Sequence, residues 1–231
     1  MSSGWGLLLV GGVGSRVNGR CAKQFLSING RLLVDWAFTA LDSIDGLEGI
    51  VVVANGSLFN KTRDIIESIK RNVPSVVYAE GGLERQDSVR MGLEKLPETC
   101  SRVWVHDGSR PFPGSSLLKR LHGASMVDDA VIPGLPEKNT LYLVGPDGWV
   151  IETVDRKKYV EVQTPQVFSK TLLNKAHKAA FKEGYRGTDC ASLVERLGIG
   201  VKVVEGDDFN IKVTTAGDLK LAEFYASFLQ K

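Results

Sequence analysis

Trp5-Gly6-Leu7-Leu8-Leu9-Val10-Gly11-Gly12-Val13-Gly14-Ser15-Arg16 is an apolar run that breaks into glycines and a cation, with Lys23 shortly after. A short apolar run bounded by glycine reads as a buried strand. Glycines let a backbone pass close to a ligand and take φ values that other residues avoid. Their N–H groups can hold phosphate oxygens where a strand turns into a helix. Arg16 and Lys23 add full positive charges, so the stretch reads as a polyphosphate site with chemistry at phosphorus. A dinucleotide fingerprint would need a glycine where Val17 stands, and a Walker loop would need Gly-Lys-Ser/Thr, which does not follow. A plain strand-to-helix turn with solvated basic residues is the other reading of these residues.

Outward from this stretch, strand-like and helix-like segments alternate. Leu7–Val10, Gly49–Ala54, Ser75–Tyr78, Arg102–His106 and Asp129–Ile132 read as strands. Leu33–Ser43, Leu58–Asn72, Arg85–Leu96 and Ser115–Gly123 read as helices between them. This rhythm predicts an α/β fold with a mainly parallel sheet covered on both faces. It breaks at Pro133–Tyr159, where Thr140–Val144 and Trp149–Val154 flank Gly145-Pro146-Asp147-Gly148. Asp-Gly between β-prone runs signals a hairpin, so the segment is expected to be a protruding arm on a single domain spanning residues 1–231. Ser169–Glu183 and Asp189–Leu197 read as helices, Gly200–Val204 and Asn210–Val213 as late strands, and Ala216–Leu229 as a closing helix.

Bulk properties narrow the function classes. The chain has 231 residues, an ordinary 43% apolar content and a net charge of only +2. It therefore carries no global signal for nucleic acid or a polybasic membrane anchor. It shows no signal peptide and no apolar stretch long enough to span a membrane. Cys21, Cys100 and Cys190 lie far apart and form no C-x-x-C pair, which argues against a disulfide framework or zinc knuckle and fits a reducing cytoplasm. His122 and His177 lack metal-ligand partners at useful spacing, and His106 continues a strand pattern and reads as structural.

Ligands of open parallel sheets bind beyond the carboxyl ends of the strands. Four clusters fall at such ends: Gly11–Arg16 with Lys23; Gly81-Gly82 with Arg85 and Ser88; Asp107-Gly108-Ser109-Arg110; and Asn210-Ile211-Lys212. Together they supply glycine turns, several cations and one carboxylate.

At these residues the chain resembles the 2-C-methyl-D-erythritol 4-phosphate cytidylyltransferases of the non-mevalonate isoprenoid pathway. Gly12-Val13-Gly14-Ser15-Arg16 with Lys23-Gln24-Phe25-Leu26 is similar to the family's glycine loop. Gly81-Gly82 to Arg85 with Asp87-Ser88-Val89, and Val105-His106-Asp107 with Arg110-Pro111, are similar to its next two motifs. Thr153-Val154-Asp155-Arg156, Gln163-Thr164-Pro165-Gln166, Thr188-Asp189 and Asn210-Ile211-Lys212-Val213-Thr214 complete the series. The chain departs from the family pattern at Val10-Gly11, Ala22, Gly108, Cys190 and Phe209.

The resemblance implies a Rossmann-like fold of the nucleotide-diphospho-sugar transferase type, and transfer of a cytidylyl group from CTP to methylerythritol phosphate with release of pyrophosphate. It implies that Arg16, Lys23 and Lys212 are catalytic. Val10, Gly11, Gly12, Val13, Gly14, Ser15, Gly82, Arg85, Ser88, Asp107 and Gly108 would bind CTP, and Asp107 would hold Mg²⁺. Arg110, Thr140, Arg156, Thr164 and Thr188 would bind the acceptor. The expected assembly is a cytoplasmic homodimer with exchanged arms at 133–159, binding a polyol phosphate and neither nucleic acid nor membrane. Two other readings remain open at this point: a ribitol-5-phosphate cytidylyltransferase and a nonenzymatic nucleotide or phosphate sensor.

Overall fold

The structure is a computed structural model and describes residues 4–11 and 22–229. The first half of the chain forms β1 (Gly4–Leu9), β2 (Ser27–Ile28), β3 (Arg31–Leu32), α1 (Leu33–Asp42), β4 (Leu47–Ala54), α2 (Phe59–Ser68), β5 (Ser75–Glu80), α3 (Arg85–Leu93) and β6 (Arg102–Asp107). Then come α4 (Ser115–Ser125), β7 (Ala130–Pro136), β8 (Leu141–Val144), β9 (Val150–Val154), β10 (Val160–Val162) and β11 (Gln166–Ser169). The chain closes with α5 (Lys170–Lys182), α6 (Cys190–Glu195), β12 (Lys202–Glu205) and α7 (Ala216–Leu229).

The main sheet has the order β10-β7-β11-β6-β1-β4-β5, with β12 beside β7. β1 lies between β4 and β6 and is parallel to both, and β4 is parallel to β5. β11 runs against β6 and β7, while β12 is parallel to β7. From β1 the chain moves outward through β4 and β5, then returns to place β6 on the other side of β1. That reversal is the switch point where open α/β sheets bind ligands. The fold is thus α/β with a mostly parallel sheet.

Side chains alternate across a strand, and β1 shows how this builds two cores. Leu7 and Leu9 pack with Val51, Val53, Val103 and Val105 against Val89 of α3 and Leu173 of α5. Leu8 joins Ile50, Val52 and Trp104 on the other face, with Phe38 of α1, Ile66 of α2 and Leu117 of α4. A third cluster seats α7 through Ala222 and Ala226 on Ile28, Leu33, Trp36 and Phe112, and takes in Val213.

Three elements of the sequence reading differ in extent or type, and β2, β3, β10 and β11 have no counterpart in it. The helix expected over Leu58–Asn72 stops at Ser68. The buried Asp42 carboxylate accepts the backbone N–H groups of Asn72, at 2.8 Å, and of Val73, at 2.8 Å, which draws the chain out of the helix. Asn210–Val213 forms no strand; Val213 N–H bonds to the Ser109 carbonyl at 2.8 Å. Its Ile-Lys-Val alternation instead reflects burial of Val213 in the third core. Pro133–Pro136 belongs to β7 rather than to the arm. Pro133 falls between the pairing of β7 with β11, at Ala130 and Val131, and with β10, from Gly134, so its missing N–H interrupts neither ladder.

The hairpin is present as β8 and β9, a separate two-stranded sheet. Gly145 and Trp149 close its turn, N–H to carbonyl at 2.9 Å, and Gly148 takes φ 85°. Tyr142, Leu143, Val144, Trp149, Val150 and Ile151 all stand exposed on it.

Removing a buried carboxylate that holds two backbone N–H groups leaves both donors without a partner. Asp42→Ala is therefore expected to destabilise the chain by about 1–3 kcal/mol, with little effect on catalysis. Urea denaturation checks this; an unchanged midpoint would show that the carboxylate is not what holds the 72–73 turn.

Candidate active site

The carboxyl ends of β1, β4, β5 and β6 converge at the switch point. β6 delivers Asp107 there, and the N–H of Gly108 bonds to the Leu9 carbonyl of β1 at 2.8 Å. Asp107 is buried, with one cation on each carboxylate oxygen. Arg85, at the start of α3, grips Oδ1 through Nε at 3.0 Å and Nη2 at 2.9 Å. Lys212 Nζ binds Oδ2 at 2.8 Å. Burial alone would raise the Asp107 carboxyl, but the facing charges of Arg85 and then Lys212 outweigh it and hold the group well below the usual carboxylate range. For Arg85 burial works toward neutrality, and the Asp107 charge reverses it, so the guanidinium is held more firmly protonated than usual.

Lys212 reaches this place without a strand to carry it. Asn210, fully buried, donates through Nδ2 to the Thr164 carbonyl at 2.8 Å. Gln163 donates to the Asp207 carbonyl at 2.8 Å and accepts the Asp207 N–H at 3.0 Å. Arg110 donates through Nη1 to the Asn210 carbonyl, 2.7 Å, and through Nη2 to that of Val162, 3.2 Å. These side chains clamp the segment ahead of Lys212, the Val213 N–H bond to the Ser109 carbonyl holds it beyond, and the lysine is left directed at Asp107. Lys23 joins from the far end of the sequence, with Nζ 3.3 Å from the Val213 carbonyl. Of the two lysines expected to act on one phosphate, Lys212 belongs to this segment and Lys23 bonds to its next residue.

His106 is fully buried. Because the Arg110 carbonyl can only accept, Nε2 at 2.9 Å must carry the proton, and Nδ1 accepts from the Thr164 hydroxyl at 3.0 Å. That hydroxyl in turn accepts the Asp107 N–H at 3.0 Å. Burial, against a smaller opposing effect of Asp107, pushes His106 down to about 4. The ring is neutral and engaged at both nitrogens, which is the structural role read from its sequence position.

A cavity of about 630 Å³ opens here, lined by Arg85, Asp107, Arg110, Thr164, Thr188 and Lys212 among others. Thr188 is exposed on its wall. Arg110 and Thr164 line it too, but their guanidinium and hydroxyl groups are turned to the carbonyls and the histidine just described. A second group lies at the ends of β4 and β5. Gly82 N–H donates to Ser88 Oγ, 3.2 Å, and the Gly82 carbonyl accepts from Asn55 Nδ2, 2.7 Å. Asn55 is a site neighbour that the sequence reading passed over; its only signal there is its position directly after the β4 strand. Val10 follows β1 in the core and Gly11 is exposed beyond it. Gly12, Val13, Gly14, Ser15 and Arg16 lie outside the described residues. Thr140 and Arg156 stand apart, exposed at the base of the hairpin, with Arg156 Nη1 on the Lys138 carbonyl at 2.6 Å.

Among the described residues no cluster of three His, Cys, Asp or Glu side chains could hold a metal ion unaided. Mg²⁺, however, is commonly bound by one or two carboxylates together with substrate phosphates. Asp107 stays anionic and lines the cavity. The three N–H groups on it leave about one of its four lone-pair positions open on Oδ2. It therefore fits a cation that arrives with a triphosphate.

The sequence model of the 2-C-methyl-D-erythritol 4-phosphate cytidylyltransferase family matches residues 7–227. The 2-C-methyl-D-erythritol 4-phosphate cytidylyltransferase of Geobacillus thermodenitrificans is 42% identical over 219 residues, covering 94% of this chain and 94% of that protein. The protein of the same name from Caldanaerobacter subterraneus subsp. tengcongensis is 36% identical over 220 residues, 95% of this chain and 96% of its own. The crystal structure of 4-diphosphocytidyl-2C-methyl-D-erythritol synthase from Anaerococcus prevotii matches with a TM-score of 0.85 at 26% identity, over 100% of this chain and 97% of that one. The 2-C-methyl-D-erythritol 4-phosphate cytidylyltransferase structure from Thermus thermophilus gives 0.75 at 31% identity, over 96% and 98%.

Burial holds both His106 and His177 at about 4, whereas an unfolded histidine titrates near 6.5. Below that value the unfolded chain takes up protons that the folded one refuses, so stability should fall as pH drops from about 6.5 toward about 4. His177→Leu should flatten this slope. Urea midpoints of both proteins at about pH 7 and about pH 5.5 check it; equal slopes would reject the buried neutral ring of His177 as a cause.

Proposed function

As the chain belongs to the 2-C-methyl-D-erythritol 4-phosphate cytidylyltransferase family, we propose that its strand-end cations carry the transfer by electrostatics and positioning alone. The reaction moves a cytidylyl group from CTP to 2-C-methyl-D-erythritol 4-phosphate, giving CDP-methylerythritol and pyrophosphate, a step of isoprenoid synthesis. The nucleophile is a phosphate oxygen that is already anionic near neutral pH, so no general base is needed. This agrees with His106 being neutral and enclosed. The physical obstacle is repulsion between two phosphates and the negative charge that builds on the transferred group and the leaving pyrophosphate. Preorganised cations answer that obstacle.

The observation that carries this reading is that Lys212 holds Asp107 while Lys23 bonds to the next residue, Val213. Lys212 would leave Asp107 for the transferred phosphate while Arg85 keeps the carboxylate in place. Lys23 and Arg16 would complete the cationic surround. Gly11 to Ser15 would cradle the triphosphate, and Gly82 and Ser88 would face base and ribose. Asp107, with oxygens of the triphosphate, would hold Mg²⁺, which when bound neutralises phosphate charge and draws electrons from the reacting phosphorus. Thr188 and the cavity surface of Arg110 and Thr164 would meet the acceptor. The separated cysteines suit a cytoplasmic setting.

Pyrophosphate release from each nucleoside triphosphate with methylerythritol phosphate and with ribitol 5-phosphate tests the activity. Release with CTP and methylerythritol phosphate is expected, and equal release with ribitol 5-phosphate would reassign the acceptor. Lys212→Ala should fold and lose turnover by about 3 kcal/mol in the barrier, by analogy with loss of one oxyanion donor. Near-normal turnover in a folded variant would remove Lys212 from the mechanism.

We further propose a homodimer whose arms cross. A lone two-stranded hairpin is marginal in water, and this one carries six exposed large apolar side chains. A two-fold partner can cover them. Thr140 and Arg156 would then serve the neighbour's acceptor site. Mixing Lys23→Ala subunits with Arg156→Ala subunits distinguishes the arrangements. Crossed arms give mixed dimers one site with both defects and one with neither, so activity partly returns. No recovery despite verified subunit exchange would reject the shared site.

A further inference from the structure

Asn55 sits at the carboxyl end of β4, between Gly11, which follows β1, and the Gly81-Gly82 pair that follows β5. Its Nδ2 donates to the Gly82 carbonyl at 2.7 Å. That contact fixes the orientation of the amide, because the oxygen of Asn55 could not face another acceptor. Oδ1 is then buried and, among the described residues, has no hydrogen-bond partner. It lies against both glycines: a Cβ added at Gly11 or at Gly81 would collide with it. At Gly11 the nearest atoms that such a Cβ would meet all belong to Asn55. Neither glycine has a positive φ, so side chains and not backbone conformation exclude a larger residue there: Asn55 at Gly11, and Asn55 with Ser88 Oγ at Gly81.

The Gly81-Gly82 pair would otherwise be the easiest place on this edge for a peptide to rotate. Three bonds prevent it. Gly81 N–H holds the Ala54 carbonyl at 2.9 Å, Gly82 N–H holds Ser88 Oγ at 3.2 Å, and Asn55 holds the Gly82 carbonyl. This matters for a base pocket made of backbone. Cytosine presents an acceptor at N3 and a donor at its amine, and uracil presents the reverse. A fixed peptide matches one pattern, whereas a peptide free to rotate can match either.

We propose that Asn55 is a positioning residue that locks the Gly82–Leu83 peptide and so sets the enzyme's preference for CTP over UTP. This rests on the placement of the base at Gly82 and Ser88 in the function proposed above. The same side chain, packed against Gly11, also fixes the distance between the base end and the phosphate end of the nucleotide site.

The test is equilibrium binding of CTP and of UTP, with Mg²⁺ and without acceptor, to the full chain and to Asn55→Ala, Gly11→Ala and the double variant. Asn55→Ala is expected to reduce the CTP-to-UTP affinity ratio by roughly tenfold, the scale of one lost hydrogen bond. Its thermal midpoint should hold, because the substitution also removes a buried acceptor that has no donor among the described residues. Gly11→Ala should weaken CTP in the native background and have little further effect once Asn55 is alanine. Asn55→Asp, which replaces the donor with an acceptor, should be at least as damaging as Asn55→Ala. A ratio unchanged within about twofold, or a native chain that binds CTP and UTP alike, would overturn the proposal. So would equal damage from Gly11→Ala in both backgrounds. Because the readout is binding, a chain that discriminates but releases no pyrophosphate would sink the proposed activity and leave this inference standing.

Discussion

The site depends on one buried carboxylate held between two cations. Asp107 could not remain charged at the switch point alone, and removing one partner of a buried pair typically costs about 3–5 kcal/mol. Its two partners are not equivalent. Arg85 makes two contacts to one oxygen and is fixed at the first turn of α3. Lys212 makes one contact, and its side chain remains 42% exposed. A phosphate offers the Lys212 ammonium the same kind of charge-assisted hydrogen bond that Asp107 does, and it carries more negative charge than one carboxylate. An arriving phosphate can therefore take Lys212 from Asp107 with a net gain, and Arg85 keeps the carboxylate neutralised when it does. The same anion anchors one cation and holds another ready for transfer.

Positioning that second cation requires a polar network inside the protein. Gln163, Asn210 and Arg110 bind carbonyls and one another's backbone ahead of Lys212. His106 and Thr164 pass a chain of hydrogen bonds from the Arg110 carbonyl to the Asp107 N–H. Connected buried networks of this kind rigidify what they surround. They also explain why a stretch dense in polar and charged residues contains few side chains directed at a ligand. Arg110 resembles a phosphate fork in the sequence; in the fold its Nη groups brace the residues that present Lys212.

Much of this architecture was legible in the sequence. Apolar runs such as Leu7–Val10 and Gly49–Ala54 have one physical meaning, burial on both faces of a parallel sheet, and the Asp147-Gly148 turn has one as well. The candidate cations were legible because they follow strand ends, where such sheets bind ligands. What could not be read was set by contacts distant in sequence. α2 ends where it does because Asp42, thirty residues away, captures the N–H of Asn72. Ile211 and Val213 alternate like a strand, yet only tertiary packing decides that Val213 fills a core beneath α7. The division of Arg110, Thr164 and Lys212 between scaffold and display likewise depends on which partner each meets.

The glycines show where sequence logic and packing logic meet. The sequence suggests left-handed conformations for a glycine loop, but Gly11, Gly81, Gly82 and Gly108 all have ordinary φ. Each lacks a side chain because the protein fills that space: Asn55 at Gly11 and Gly81, Asp87 at Gly82, and the Leu9 carbonyl at Gly108, 2.9 Å from where a Cβ would stand. Drawing the strand ends this close places Asp107 beside β1 and Gly82 beside β4. Close approach of backbone to a ligand and close approach of protein to protein are then one requirement. An alanine would push the turn away from its neighbours, and with it the peptide groups meant for the nucleotide. The glycine edge is thus specified from within the fold, by a small set of side chains and carbonyls that leave no room for a Cβ.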